Sequence, residues 1–444
     1  MKNSTHTVGI IGTGEIGWRM GKLLLAAGHD VIGYDRRPEA LRRPRDSGFI
    51  VADSIADLCR RADLVLSCVT DGAALRDIVS GPRGIAANLE AGKPYIDTTS
   101  AEPWVTQELA PLLERKGIPF LDAPVSGGVP AAEAGRMNFM VGGEAALLDR
   151  CRSTLEPLGP VITHVGAVGT GHTVKAVNML ALAASMLSTA ELFAIGIDAG
   201  LSLNHLIERL EAGIGASYST RVHFPRFIAP GNYASGFSFD LMLKDLSIGI
   251  GLAERCRIPL FMERMTYEIY QHGANTGLPG KDNTRIVERI LSTAGVGRRG
   301  SCGQSDLMQY IELLAAACNT LVGSESVCLG VAAGLSAKTV IEVISQSSGY
   351  THALSNGIAA YLKNAGGSAK TLAEIHHAAV PTIGLARDAI IPTPLVEKMT
   401  EIHIAAIRRF GKNADSRMVL DLIAEWTKQG DAMTMMWEYA GGVS

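Results

Sequence analysis

The chain has 444 residues, 47% hydrophobic and 19% charged, a globular balance at a length that suits two or three domains better than one core. Its net charge of −3 offers no bulk attraction for nucleic acid or an anionic membrane, and neither is expected as a partner. Seven scattered cysteines without a C-x-x-C pair indicate neither a disulfide framework nor a metal site, and they suit a reducing compartment.

In chain order, Met-Lys-Asn-Ser-Thr-His leads straight into a strand pattern with no apolar targeting stretch, so a cytoplasmic location is expected. Thr7–Ile11 reads as a buried strand, Ile16–Ala27 as a helix stopped by Gly28, and Asp30–Tyr34 as a second strand. Strand signals return at Leu64–Val69, Pro94–Asp97 and Pro119–Leu121, with helical stretches between them. This alternation predicts an α/β domain over residues 1–165, a doubly wound parallel sheet. Beyond it the chain reads as all-α, in two parts, 166–298 and 299–444, joined by a Gly-, Arg- and Ser-rich linker at Ala294–Gln304. The apolar stretch Val174–Ile197 is long enough to cross a bilayer, but Lys175, Asn178 and Glu191 interrupt it, which favours a buried central helix.

The two helical parts repeat one another. At a shift of 134 residues, Glu191, Gly196 and Ala199-Gly200-Leu201-Ser202 fall on Glu325, Gly330 and Ala333-Gly334-Leu335-Ser336. At a shift of 133, Ile250-Gly251-Leu252-Ala253 falls on Ile383-Gly384-Leu385-Ala386. Preserved order at a near-constant shift predicts a duplicated helical domain and an internal pseudo-dimer, with homodimerisation left open.

Gly12-Thr13-Gly14-Glu15-Ile16-Gly17 follows a strand and opens a helix, the context a dinucleotide-binding loop requires. The first glycine permits the turn, the second lets a pyrophosphate approach the backbone, and the third packs helix on strand, which makes this domain Rossmann-type. Asp35 ends the second strand, where a carboxylate accepts ribose hydroxyls and repels a 2′-phosphate, so NAD is expected. Arg36 and Arg37 follow and could instead clamp a 2′-phosphate, which keeps NADP as the alternative. In Asp122-Ala123-Pro124-Val125-Ser126-Gly127-Gly128, the serine hydroxyl and glycine amides suit a substrate carboxylate, although a structural turn explains the segment equally. In Gly166–Asn178, glycines deliver the chain into a long helix carrying Lys175 and Asn178 on one face. A lysine at the start of so apolar a helix is expected to be partly desolvated, which favours a neutral, proton-accepting amine. Lys244-Asp245 lies between apolar residues and by itself reads equally well as a surface pair.

Taken in order, these motifs resemble the β-hydroxyacid dehydrogenase family, which includes 3-hydroxyisobutyrate, tartronate semialdehyde and threonate dehydrogenases. The resemblance spans about residues 7 to 290 and includes Asp97-Thr98-Thr99-Ser100. It implies that Lys175 is the catalytic acid/base and that Ser126, Gly127 and Gly128 bind a small hydroxy-acid substrate. Gly12, Gly14, Glu15, Ile16, Gly17, Asp35, Arg36, Val69, Thr70 and Thr99 would line the cofactor cleft, with Lys244 and Asp245 by the nicotinamide. The family's usual Asn four residues after the lysine is Met179 here, so Asn178 is expected to take over its hydrogen bonding. Relatives that decarboxylate 6-phosphogluconate carry His and Glu three and seven residues after the lysine; here these are Asn178 and Leu182, so oxidation without decarboxylation is expected. The extra domain resembles the duplicated helical half of 6-phosphogluconate dehydrogenase, but Gln309, Glu312, His377 and Ala378 replace Lys175, Asn178, Lys244 and Asp245. An imine reductase-like enzyme and a non-catalytic dinucleotide-binding scaffold are the rival readings.

Overall fold

The computed structural model describes residues 6–295, 304–364 and 370–427, and it separates into two compact units, Met1–Ala176 and Val177–Ser444. The division falls inside the Thr170–Asp198 helix. The expected 298/299 boundary, and most of the expected linker at Ala294–Gln304, lie outside the described residues.

The first unit is built on β1 (Thr7–Ile11), β2 (Asp30–Tyr34), β3 (Ile50–Val51), β4 (Leu64–Ser67), β5 (Tyr95–Asp97) and β6 (Phe120–Asp122), followed by β7 (Val125–Ser126), β8 (Asn138–Gly142) and β9 (Val161–Gly166). The spatial order is β3-β2-β1-β4-β5-β6-β8-β7, with β9 beside β8. The strands from β3 through β6 are parallel, in the doubly wound order with its switch point between β1 and β4. The expectation of a parallel sheet holds that far. β8 then runs antiparallel to both β6 and β7. The connection into it contains only the short Gly128–Glu133 helix, too little chain to cross a sheet face and return parallel.

Alternation along each strand covers both faces. Val8, Ile10, Leu64, Leu66 and Ile96 pack with Met20 and Leu24 of the Glu15–Ala26 helix. Ile11, Val65 and Tyr95 point the other way, into a core with Leu58, Leu75 and Val105. The helix thus starts one residue before the expected Ile16, and strand ends shift by one or two residues.

The second unit is helical. Its centre is the Thr170–Asp198 and Gln304–Ala332 helices, of 29 residues each. Both are long and apolar enough to cross a membrane, but their most apolar windows are 94% and 89% buried inside the protein. Each is followed by a short helix (Leu203–Glu211; Ala337–Ser345), a π-helical segment (Ser219–Ile228; Ala353–Ile358) and two further helices (Phe239–Cys256 and Met262–Ala274; Leu372–Asp388 and Pro394–Phe410). Counting the central helices as the first pair, the first three pairs begin 134 residues apart, the fourth 133 and the fifth 132.

Contacts between the halves are reciprocal. Ser217 bridges Thr351, Tyr218 N donates to Tyr350 O at 2.8 Å, and His352 N donates to Ala216 O at 2.8 Å. Glu191, on the first central helix, accepts the amides of Leu395 and Val396 at the start of the Pro394–Phe410 helix. Glu325, on the second, accepts those of Phe261, Met262 and Glu263 at the start of the Met262–Ala274 helix. A carboxylate there satisfies orphan amides and complements the helix dipole. Two acidic residues inside apolar helices are therefore caps delivered by the opposite half.

These caps predict a pH dependence of stability. Burial pushes the Glu191 carboxyl up to about 8 from its ordinary 4.5, against the pull of the two amides. The native state therefore holds a proton that the unfolded chain releases, so this contribution is complete below about 4.5 and is lost as pH rises toward 8. The Tm of the intact protein should fall between about pH 5 and pH 8, and Glu191→Gln, which keeps an acceptor oxygen but cannot ionise, should flatten that fall. Parallel Tm–pH curves for the two proteins would contradict this.

Candidate active site

The carboxyl ends of β1, β2, β4 and β5 gather one half of the site. Gly12 adopts φ +92°, and a Cβ there would sit 2.3 Å from Cys68 O. One on Gly17 would sit 2.0 Å from Gly12 O. Both positions therefore require glycine. At Gly14 a Cβ would meet nothing nearer than the Arg37 guanidinium at 4.0 Å, so this backbone is open to a ligand. Glu15 and Ile16 begin the helix behind it, and Glu15 is held by Arg19 and Arg43, whose hydrogen bonds keep its carboxyl below the usual range.

Asp35 is buried at the end of β2, where its Oδ2 accepts the Thr13 amide at 3.1 Å and its Oδ1 accepts the Arg37 amide at 3.0 Å. Arg37 Nε closes an ion pair with the same Oδ1 at 3.3 Å, while Arg36 is exposed. The carboxylate is thus anchored to the glycine loop. Across the switch point, Val69 N donates to Thr99 Oγ1 at 3.1 Å, and Thr99 Oγ1 donates to Asp97 Oδ1 at 2.6 Å. Thr70 follows, exposed. Tight turn, open backbone, anchored carboxylate and facing threonine together fit a dinucleotide.

Lys175 sits 8% exposed in the second turn of the Thr170–Asp198 helix. Asp122, at the end of β6, orients that turn: its Oδ1 accepts Gly169 N at 2.7 Å and its Oδ2 accepts His172 N at 2.9 Å. It is a buried cap, and burial raises its carboxyl while His172 and the two amides oppose the rise. His172, three residues before Lys175, faces Thr99 O with Nε2 at 2.7 Å, so Nε2 is the donor. Its Nδ1 lies 2.8 Å from Thr106 Oγ1. A Cβ on Gly171 would meet Met140 O at 2.4 Å, so only glycine lets the helix start so close to the sheet. Through Asp122 and His172 the turn bearing Lys175 is tied to the strand ends that form the cofactor cradle.

Sequence reasoning singled out the segments containing Asp97, Asp122 and His172 but missed these roles. The available signal was position, with Asp97 and Asp122 each closing a strand and His172 one turn before the lysine.

Ser126, buried, ends β7, and Gly127 and Gly128 follow at φ +118° and +63°. The positive values explain both glycines by backbone conformation. In the helical unit, Lys244 Nζ lies 3.2 Å from Asp245 Oδ1 near the start of the Phe239–Cys256 helix, with Asp245 buried. This pair is partly sequestered, unlike an open surface pair. Asn178 is fully buried and engages the second half: its Nδ2 donates to Ser348 Oγ at 3.0 Å and its Oδ1 accepts Gly349 N at 2.8 Å. Nothing in the local sequence around Asn178 announced Ser348 or Gly349.

A family described as the NAD binding domain of 6-phosphogluconate dehydrogenase matches residues 7–166, and one described as the NAD-binding domain of NADP-dependent 3-hydroxyisobutyrate dehydrogenase matches residues 169–290. The chain is 33% identical over 296 residues to mitochondrial 3-hydroxyisobutyrate dehydrogenase of Mus musculus, covering 65% of this chain and 88% of that one. It is 30% identical over 293 residues to 2-(hydroxymethyl)glutarate dehydrogenase of Eubacterium barkeri, covering 66% and 97%. Among solved structures, Mycobacterium tuberculosis 3-hydroxyisobutyrate dehydrogenase with L-serine superposes with a TM-score of 0.62 at 28% identity, over 65% of this chain and 99% of that one. Plasmodium falciparum 6-phosphogluconate dehydrogenase, 15% identical, shares the fold with a TM-score of 0.64 over 91% of this chain and 92% of its own. The chain belongs to the 3-hydroxyisobutyrate dehydrogenase family and is a dinucleotide-dependent β-hydroxyacid dehydrogenase acting on a CH–OH group.

Proposed function

We propose that this enzyme interconverts a small 3-hydroxy acid, of the 3-hydroxyisobutyrate, tartronate semialdehyde or threonate kind, with its aldehyde or keto form. It does so without decarboxylation, prefers NAD, and works in the cytoplasm. The observation that carries the reading is the buried Lys175 on a turn that Asp122 and His172 tie to the cofactor-binding strand ends.

The bound nicotinamide supplies the hydride acceptor. Lys175, as the neutral amine, takes the substrate hydroxyl proton, and as ammonium returns it in the reverse direction. Such acid–base help contributes roughly 10²–10⁴-fold. The Ser126 hydroxyl and the amides of Gly127 and Gly128 hold the substrate carboxylate. The Nδ2 of Asn178 is already engaged, by Ser348 Oγ at 3.0 Å and Met179 Sδ at 3.8 Å, so a substrate contact there would have to displace one of them. Leu182, 5% exposed, stands where a second acid would have to protonate an enediol, which supports the absence of decarboxylation. The matched element order and reciprocal caps support reading the second half as a degenerate copy of the first.

A screen of small 3-hydroxy acids and semialdehydes, followed by NADH absorbance, tests the substrate class. Reduction of cyclic imines with no turnover of any hydroxy acid would sink it.

The NAD preference rests on the anchored Asp35 carboxylate. Because hydrogen bonds to a charged acceptor are worth about 1.5–3 kcal/mol, Asp35→Ala should raise the KM for NAD by roughly 10- to 100-fold and narrow the gap to NADP. A wild-type enzyme with the higher kcat/KM for NADP would transfer the determinant to Arg36 or Arg37.

A further inference from the structure

We propose that a hollow in the second half of the helical unit binds a small anionic amphiphile, with the apolar body on Val380, Pro381, Ile404 and Ile407 and the anionic head at Arg408 and Lys412. The hollow, about 1010 Å³, opens between the Leu372–Asp388 and Pro394–Phe410 helices, with Tyr310 at its edge. That volume is at the upper end of small-ligand sites, roughly 300–1,000 Å³.

Three observations support the assignment. The walls are apolar and open to solvent: Val380 is 58% and Ile404 39% exposed, on surfaces where polar residues would cost nothing. Next, the cations there have no carboxylate partner among the described residues. Neighbouring Arg387, Arg409 and Arg417 pair with Glu397, Glu425 and Asp415, whereas Arg408 and Lys412 pair with no carboxylate among the described residues. Among the described residues, no Asp or Glu lines the hollow. Two unpaired positive charges beside an apolar surface attract an anion whose remainder is apolar. Finally, the hollow occupies the face that in the first half carries Lys244, since His377 stands at its equivalent 133 residues on. Tyr310 lies edge-on to His377, ring centroids 6.0 Å apart at 89°, with the Tyr310 hydroxyl 3.5 Å from His377 Nε2. The Lys–Asp pair is gone, and a concave, cationic, aromatic-edged site stands in its place.

The test is calorimetric titration of the full-length protein with octanoate and with octyl phosphate, both below their micellar concentrations. Octylamine and octanol run in parallel. Saturable one-to-one binding is expected for one or both anions and not for the amine, and whichever anion binds tighter identifies the head group. Arg408→Gln with Lys412→Gln, both exposed positions, should weaken binding about tenfold or more, and Val380→Asp should abolish it. Lys175→Ala should leave it unchanged, which separates this site from the substrate site. Equal binding of octylamine, retention of affinity in the double variant, or loss of binding in Lys175→Ala would each overturn the proposal.

Discussion

Replacing Lys175 with alanine will lower kcat by roughly 10²–10⁴-fold, the contribution of a general acid–base group, while the Kd for NAD stays within about threefold. In the proposed mechanism the side chain acts on the substrate hydroxyl, whereas the glycine loop, Asp35 and Thr99 proposed to cradle the cofactor are built without it. Lys175→Arg should not recover activity, because a guanidinium keeps its proton and cannot accept another. Small primary amines added to Lys175→Ala should restore part of the rate, since the truncation leaves a cavity beside the reacting hydroxyl. Steady-state kinetics, a direct NAD titration and the amine series check all three. Wild-type-like turnover in Lys175→Ala would remove the lysine from the mechanism, and loss of NAD binding in step with kcat would make its role structural.

Ending the chain after Gly300 will give a protein that aggregates or lacks activity, even though every residue assigned to the site remains. The cut removes Glu325 and strips the amides of Phe261, Met262 and Glu263 of their acceptor. It removes Ser348 and Gly349 and leaves the buried Asn178 amide without either partner. It also uncovers tightly fitted apolar surface: Gly196 packs against Ile311 and Gly215 against Ala315, contacts close enough that a Cβ would meet them at 3.1 and 3.2 Å. At ~25 cal/mol per Å², exposing such surface outweighs the few kcal/mol of lost hydrogen bonds. The expected result follows from our proposal that the second half acts as a partner built into the chain. Light scattering and activity of the truncated protein test this, and a soluble, monomeric, fully active fragment would refute it.

Much of the site was legible in sequence because its chemistry depends on local backbone. Gly12, Gly17, Gly127 and Gly128 sit where the turn, the close approach or a positive φ excludes a side chain, and such demands leave glycines at fixed spacing. Asp35 is legible for the same reason, since it closes a strand at a set distance from that loop. The antiparallel β8 was not legible, because a five-residue buried strand carries no mark of its direction.

The repeat, too, could be seen in sequence, but not what it does. Glu191 and Glu325 matched at a constant shift, yet a carboxylate in an apolar helix looks the same whether it is unpaired or capping another helix. Only the tertiary structure shows that each caps a helix of the opposite half. The same holds for Asn178, whose hydrogen-bond partners lie 170 and 171 residues away. Sequence by itself determined five strands of the sheet, the dinucleotide loop, the candidate lysine and the family, because these follow from short-range backbone requirements and periodic burial, while β3, β7, β8 and β9 went unread. Tertiary structure alone decided how buried polar groups are satisfied: Asp122 and His172 holding the lysine's turn, Glu191 and Glu325 exchanging caps, Ser348 and Gly349 meeting Asn178. The reason is physical, since a buried polar group must find a partner in space, and chain folding places that partner at a separation no local pattern records.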